Sequence, residues 1–244
     1  MGYLLSTRKT PRIITRKLSP CKAKPITNEL SSDSWSGRRS FVLCGGPSLG
    51  GFDFNLIRGE CTIGVNKSFT RFNTDICYGM DQRFYDSVTF PNRQDPENVQ
   101  LHNEWVRFSG LKVFPKVDEK IRLDPSVHFV KTIKKKCISL DVNQGIYTGG
   151  NSGFGGMMLA IALGSRKIFL LGADLKIDER KKRTHFHDGY PNQNVKNLIR
   201  ALGEFKKEFE YFADSLVEYG IDVINLNPDS ALECFPKKEI REVL

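Results

Sequence analysis

Two histidines, His185 and His187, follow the basic run Arg180 to Arg183 and precede Asp188 and Tyr190. A neutral imidazole can take a proton from a hydroxyl near neutral pH, and cations beside it stabilise negative charge that develops on a departing group. The same cations disfavour charging of the imidazole. This loop is therefore the candidate seat of general-base chemistry, with Arg180 and Arg183 offsetting charge on a leaving group. His185, His187 and Asp188 could instead share a metal ion, but no further ligand clusters with them. The plainest alternative is a charged loop with incidental histidines.

Two glycine-rich stretches are candidate phosphate cradles. The first is Gly45-Gly46-Pro47-Ser48-Leu49-Gly50-Gly51, the second Thr148-Gly149-Gly150-Asn151-Ser152-Gly153-Phe154-Gly155-Gly156. Glycine lets backbone approach a ligand closely, and unpaired N–H groups in such turns attract anions. Neither stretch is G-x-G-x-x-G or a P-loop, so a standard dinucleotide or P-loop site is disfavoured. The second stretch runs into an apolar segment, so its N–H groups sit at the positive end of a helix. Ser152 could cap that helix or donate to a phosphate oxygen. The competing reading is close packing alone. Asn66 and Asp81 could hydrogen-bond a base or ribose, or be ordinary turn residues.

These residues need elements to position them. Ser40–Cys44, Cys61–Asn66, Asp75–Met80, Lys112–Phe114, Val127–Val130, Lys167–Gly172 and Asp222–Leu226 read as strands, several of them apolar throughout. Residues 152–163, apolar all round and stopped by Gly164, read as a buried helix. Residues 195–219 carry Leu198, Leu202, Phe205, Phe209, Phe212 and Leu216 at helical spacing. Strands alternating with helices predict an α/β fold with a mainly parallel sheet covered on both faces. Ligands of such sheets bind beyond the carboxyl ends of the strands, where Gly45–Ser48, Asn66–Ser68, Asp81, Asp174 onward and Asn227–Ser230 fall.

The 244 residues, of which 39% are hydrophobic and 27% charged, suit one globular domain with a small appendage. Mean hydropathy is −0.36, and no run of 18 apolar residues predicts a membrane span. Six scattered cysteines without a C-x-x-C pair argue against zinc or a disulfide framework, and suit a reducing compartment such as the cytoplasm. The net charge is +9, but nine basic and two acidic side chains fall in residues 1–39, so residues 40–244 are nearly balanced. Residues 1–39, rich in Ser, Thr, Pro, Arg and Lys, read as a basic disordered arm, either solvated or holding a phosphate backbone. Lys131, Lys134, Lys135 and Lys136 read as a solvated basic face, with a polyanionic acceptor as the alternative.

Val42-Leu43-Cys44-Gly45-Gly46-Pro47-Ser48-Leu49, then Asp53, then Val65-Asn66, resembles the opening of the bacterial sialyltransferases of glycosyltransferase family 42. Ser152-Gly153 followed by Ile161-Ala162-Leu163-Gly164 and Lys167-Ile168-Phe169-Leu170-Leu171-Gly172-Ala173-Asp174 resembles that family's second block. Asn227-Pro228-Asp229-Ser230-Ala231-Leu232 resembles its closing strand and turn. The wider DUF115-type superfamily includes an archaeal hydroxymethylpterin diphosphokinase and uncharacterised proteins, some from phages.

The resemblance implies a Rossmann-like three-layer sandwich over residues 40–244 that binds a nucleotide-activated donor such as CMP-sialic acid without a metal. Gly45, Gly46, Pro47, Ser48 and Asn66 would contact the nucleotide, Ser152 and Gly153 would lie by the donor, and His187 or else His185 would be the base. The family's asparagine in the turn is Gly45 here, and its arginine before the Ser-Gly pair is missing. Its paired tyrosines are not evident, and Tyr190 with Arg180 and Arg183 would stand in for them. The expected activity is glycosyl transfer to a hydroxyl of a glycan or of a modified nucleic-acid base, in a bacterial or phage-infected cytoplasm. The alternatives are an ATP-dependent diphosphokinase, with Asp81 and Asp174 holding Mg²⁺, and a non-enzymatic nucleotide- or nucleic-acid-binding protein.

Overall fold

The strand-forming segments gather into one seven-stranded sheet in the order β5-β4-β3-β2-β1-β6-β7, with every neighbouring pair parallel. The strands are β1 (Arg39–Leu43), β2 (Cys61–Val65), β3 (Ile76–Tyr78), β4 (Leu111–Pro115), β5 (Val127–Val130), β6 (Lys167–Leu171) and β7 (Asp222–Asn225). The structure is a computed structural model that describes residues 30–115, 123–177, 185–186 and 195–244. The fold is the α/β arrangement expected from strands alternating with helices, Rossmann-like as the resemblance implied, and the sheet is parallel throughout.

The continuous apolar character of β1, β2 and β6 follows from burial on both faces. In β1, Val42 points to one side, while Phe41 and Leu43 point to the other. The first face is covered by α3 (Ser152–Ala162) and α4 (Val195–Glu218). The second is covered by the 3₁₀ turns after β1 and by the C-terminal residues Ile240 and Val243. Two helices between β3 and β4, α1 (Gln82–Thr89) and α2 (Pro96–Arg107), are absent from the sequence reading and pack Phe84, Tyr85, Leu101 and Trp105 around Phe114. Both start on an aspartate that accepts from two backbone N–H groups, Asp81 and Asp95, and Pro96 opens α2.

Helix α3 is apolar on every side because every side is buried: residues 153–162 are all buried. Its glycines let it lie close to the sheet. A Cβ on Gly155 would fall 2.5 Å from the Tyr78 hydroxyl, and one on Gly156 would fall 3.2 Å from Val42 and Val65.

The expected arm divides. Residues 1–29 lie outside the described residues. Leu30 and Trp35 belong to the core, and the Trp35 N–H donates to the Leu163 carbonyl at the end of α3, at 2.8 Å. Ser32 donates to Asp141.

Candidate functional site

The strand order reverses beside β1, between β2 on one side and β6 on the other, and the carboxyl ends of these strands diverge there. A cleft of about 560 Å³ opens at that point. Gly45, Gly46, Asn66, Asp81, Ser152 and Gly153 all reach its wall, and so does His185. The two glycine-rich turns therefore face one space, although about a hundred residues of chain separate them.

The first turn is pressed against the exit of β6. The Gly46 N–H donates to the Gly172 carbonyl at 2.8 Å. A Cβ on Gly46 would lie 2.4 Å from that oxygen and 2.6 Å from Cγ of Asp174, so no other residue fits. The Ser48 N–H donates to Oδ2 of Asp174 at 2.8 Å. Two amides counted above as part of an anion cradle are thus engaged within the protein. Pro47 and Ser48 line a neighbouring cavity of about 880 Å³, which shares Asp174, Leu175 and Leu202 with the cleft.

The second turn enters α3 through Gly149 and Gly150, whose φ values of +62° and +68° favour glycine. The helix cap is Asn151, not Ser152: its side chain accepts from the N–H groups of Gly153 at 2.7 Å and Phe154 at 3.3 Å. Ser152 is then the first residue of the helix, where a backbone N–H has no intrahelical acceptor.

Asn66 sits at the end of β2 with φ +51°, a conformation that non-glycine residues adopt at a cost. Its Oδ1 is buried and has no hydrogen-bond partner among the described residues. Asp81 spends Oδ1 on the N–H groups of Arg83 and Phe84 at the start of α1.

His185 is held by its neighbour: the Phe186 N–H donates to the Gly45 carbonyl at 3.0 Å. The imidazole edge lies against Gly45, where a Cβ would come within 3.1 Å of Cδ2. Burial, and secondarily the charge of Lys67, hold the His185 pKa below its ordinary 6.5. His185 is accordingly neutral at pH 7. His187, Arg180, Arg183 and Tyr190 lie outside the described residues. Among the described residues no group of three or more His, Cys, Asp or Glu is placed to hold a metal ion, and no helix is long and apolar enough to cross a membrane.

Part of the site escaped the sequence reading. Helical spacing sets Leu198, Leu202 and Phe205 on one side of α4 with Phe209, Phe212 and Leu216. Only the later three are fully buried, while Leu198, Leu202 and Phe205 form an apolar wall of the cleft. Helical spacing alone does not reveal that the first turns of α4 face the cleft, with Phe209 at the junction of cleft and core. The basic face also resolves differently at Lys136, whose Nζ lies 3.0 Å from Oε2 of Glu208 and 4.2 Å from the Tyr211 ring centre.

No protein-family profile and no curated protein matches this chain. Solved structures with a similar fold include the MAf glycosyltransferase of Magnetospirillum magneticum AMB-1, with a TM-score of 0.49 at 14% identity, over 86% of this chain and 37% of that one. The chain thus spans little more than a third of that protein. The sialyltransferase CstII of Campylobacter jejuni, in complex with cytidine-5'-monophosphate, gives a TM-score of 0.45 at 13% identity, over 83% of this chain and 85% of that one. A sialyltransferase CST-II complex with a trisaccharide acceptor and CMP gives 0.45 at 15% identity, over 82% and 85%.

Proposed function

We propose that the cleft binds a nucleotide-activated donor and that the chain transfers the donor's glycosyl group to an acceptor hydroxyl. The observation that carries this reading is the convergence on one cleft of two glycine-rich turns, a neutral imidazole and the buried, unpartnered Oδ1 of Asn66. A buried acceptor atom without a donor is unfavourable by about 1–3 kcal/mol, which a ligand N–H or O–H would relieve. The Ser152 N–H and the positive end of α3 suit the donor phosphate. The apolar face of Leu198, Leu202 and Phe205 suits the flat surface of a base or a sugar.

In the reaction the acceptor oxygen attacks the anomeric carbon and forms the new C–O bond. The bond from that carbon to the phosphate oxygen breaks, and the nucleotide leaves with the electron pair. His185 takes the hydroxyl proton, as its neutral state at pH 7 permits. Arg180, Arg183 and Tyr190 remain the proposed groups for the leaving phosphate, and His187 the alternative base. No metal is required by this scheme. The acceptor is a hydroxyl of a glycan or of a modified nucleic-acid base.

No observation favours the diphosphokinase reading. The carboxylates it would use for Mg²⁺ already serve the fold, Asp81 as a helix cap and Asp174 in a set of buried hydrogen bonds.

The test is a thermal-shift and calorimetric screen with CMP-, UDP- and GDP-sugars and ATP, with and without Mg²⁺. A nucleotide sugar at about 100 times its Kd should stabilise the protein by about 2.7 kcal/mol. Binding of ATP alone, and only with Mg²⁺, would replace glycosyl transfer with pyrophosphoryl transfer. No binding of any nucleotide removes the reading.

A further inference from the structure

Asp174 is 4% exposed, and its carboxylate receives three donors from two other loops. The Ser48 N–H reaches Oδ2 at 2.8 Å, and the Ser48 hydroxyl reaches Oδ1 at 2.5 Å. The Asn227 amide reaches the same Oδ1 at 2.6 Å. The Asp174 main-chain oxygen also accepts from the Ala231 N–H at 2.9 Å. Burial of a carboxylate is unfavourable unless donors replace its water, and here they are supplied from the ends of β1 and β7. One charge therefore ties together the loops beyond β1, β6 and β7.

Position makes the arrangement functional. Asp174 lies on the boundary between the cleft and the neighbouring cavity and lines both. Ser48 stands two residues beyond Gly46, so its two bonds set the course of Gly45 and Gly46 along the cleft wall. Gly46 in turn is a glycine because the Gly172 carbonyl and the Asp174 carboxylate together occupy the space of a Cβ. Gly45 carries the contact that holds His185, through its carbonyl. A displaced turn would move both the glycine wall and the imidazole.

We propose that Asp174 is a positioning residue of the donor cleft, acting through Ser48 and with Asn227 as its required partner. The inference rests on the donor reading above and adds the residue that keeps the cleft in its binding shape.

The hydrogen-bond directions give a sharp test. In Asp174→Asn, the new NH2 group faces a donor in either orientation, the Asn227 amide in one and the Ser48 backbone N–H in the other. Turning the Asn227 amide over would cost its Oδ1 the bond it accepts from the Asp229 N–H at 3.1 Å. In Asn227→Asp, two carboxylates oppose each other. In the exchanged pair Asp174→Asn/Asn227→Asp, the new amide donates to the new carboxylate, its oxygen accepts from the Ser48 N–H, and the Ser48 hydroxyl turns to accept.

Binding of cytidine 5'-monophosphate, uridine 5'-diphosphate and ATP to the full chain is measured by calorimetry, alongside thermal unfolding. Each variant is assayed where its unfolding curve shows it folded. Each single exchange should weaken the best nucleotide by about tenfold or more, and the exchanged pair should recover most of that loss. Ser48→Ala, which removes one hydroxyl and spares the fold, should weaken binding by about three- to tenfold. This variant decides the matter if the single exchanges do not fold. A lowered unfolding midpoint with unchanged nucleotide affinity overturns the inference while leaving the donor reading intact. A wild-type chain that binds none of the nucleotides overturns both.

Discussion

The imidazole of His185 carries a pH signature. Burial and Lys67 oppose its protonation, so its folded pKa lies below 6.5 and its unfolded pKa near 6.5. The neutral form is required of a base, so the acid limb of the pH–rate profile should have its midpoint below 6.5, and Lys67→Ala should move that limb upward. An upward move fails to appear if another group governs the limb. The same shift affects stability. Above 6.5 the contribution is fully present, and it is lost as pH falls through the folded pKa, because the unfolded chain then binds the extra proton. His185→Ala should lower the transfer rate by about 10²- to 10⁴-fold, read in initial rates with saturating donor. Asn66 gives the complementary test. Asn66→Gly relieves the φ of +51° and removes an unpartnered buried oxygen, so the unfolding free energy should rise by about 1 kcal/mol. Nucleotide affinity should fall at the same time, and an unchanged affinity would take Asn66 out of the binding site.

At the scale of elements, α3 links core packing to the site. Its N-terminus brings Ser152 and Gly153 to the cleft, and its middle leaves no room above β3. Gly155→Ala places a methyl 2.5 Å from the Tyr78 hydroxyl and should destabilise the protein by about 1–3 kcal/mol in denaturant unfolding. The Tyr78 hydroxyl is fully buried, has no hydrogen-bond partner among the described residues, and has its pKa raised by that burial. Tyr78→Phe should therefore stabilise the wild-type chain by about 1 kcal/mol and recover part of the loss in Gly155→Ala. A Tyr78→Phe variant that is less stable than wild type would show that the hydroxyl is satisfied.

The molecule as a whole closes around the end of α3 with residues that precede the first strand. Leu30 and Trp35 are 6% and 7% exposed, and Gly164 has no room for a side chain because the Ser32 carbonyl stands 2.6 Å from where its Cβ would be. Trp35→Ala should lower stability by about 3–5 kcal/mol by thermal or chemical unfolding, the size expected for a buried tryptophan. A loss below about 1 kcal/mol would mean that residues 30–38 are an accessory to the core.

The sequence by itself determined where the strands lie, and the tertiary structure their order. Each strand from β1 to β7 is marked by a short segment centred on apolar residues, α3 by an unbroken apolar stretch ending at Gly164, and α4 by helical spacing ending at Gly220. It also marked Gly45, Gly46, Asn66, Asp81, Ser152, Gly153 and His185, which the fold brings to one cleft. Tertiary structure alone decided how those residues are used. It assigned the α3 cap to Asn151, turned Pro47 and Ser48 toward a second cavity, and exposed the first turns of α4 to the cleft. It also made Asp174 the anchor of Ser48, 126 residues away along the chain. Strand and helix patterns repeat every few residues and can be read from neighbours. A hydrogen bond across such a separation leaves no period in the sequence, because its donor and acceptor meet only after the sheet has formed.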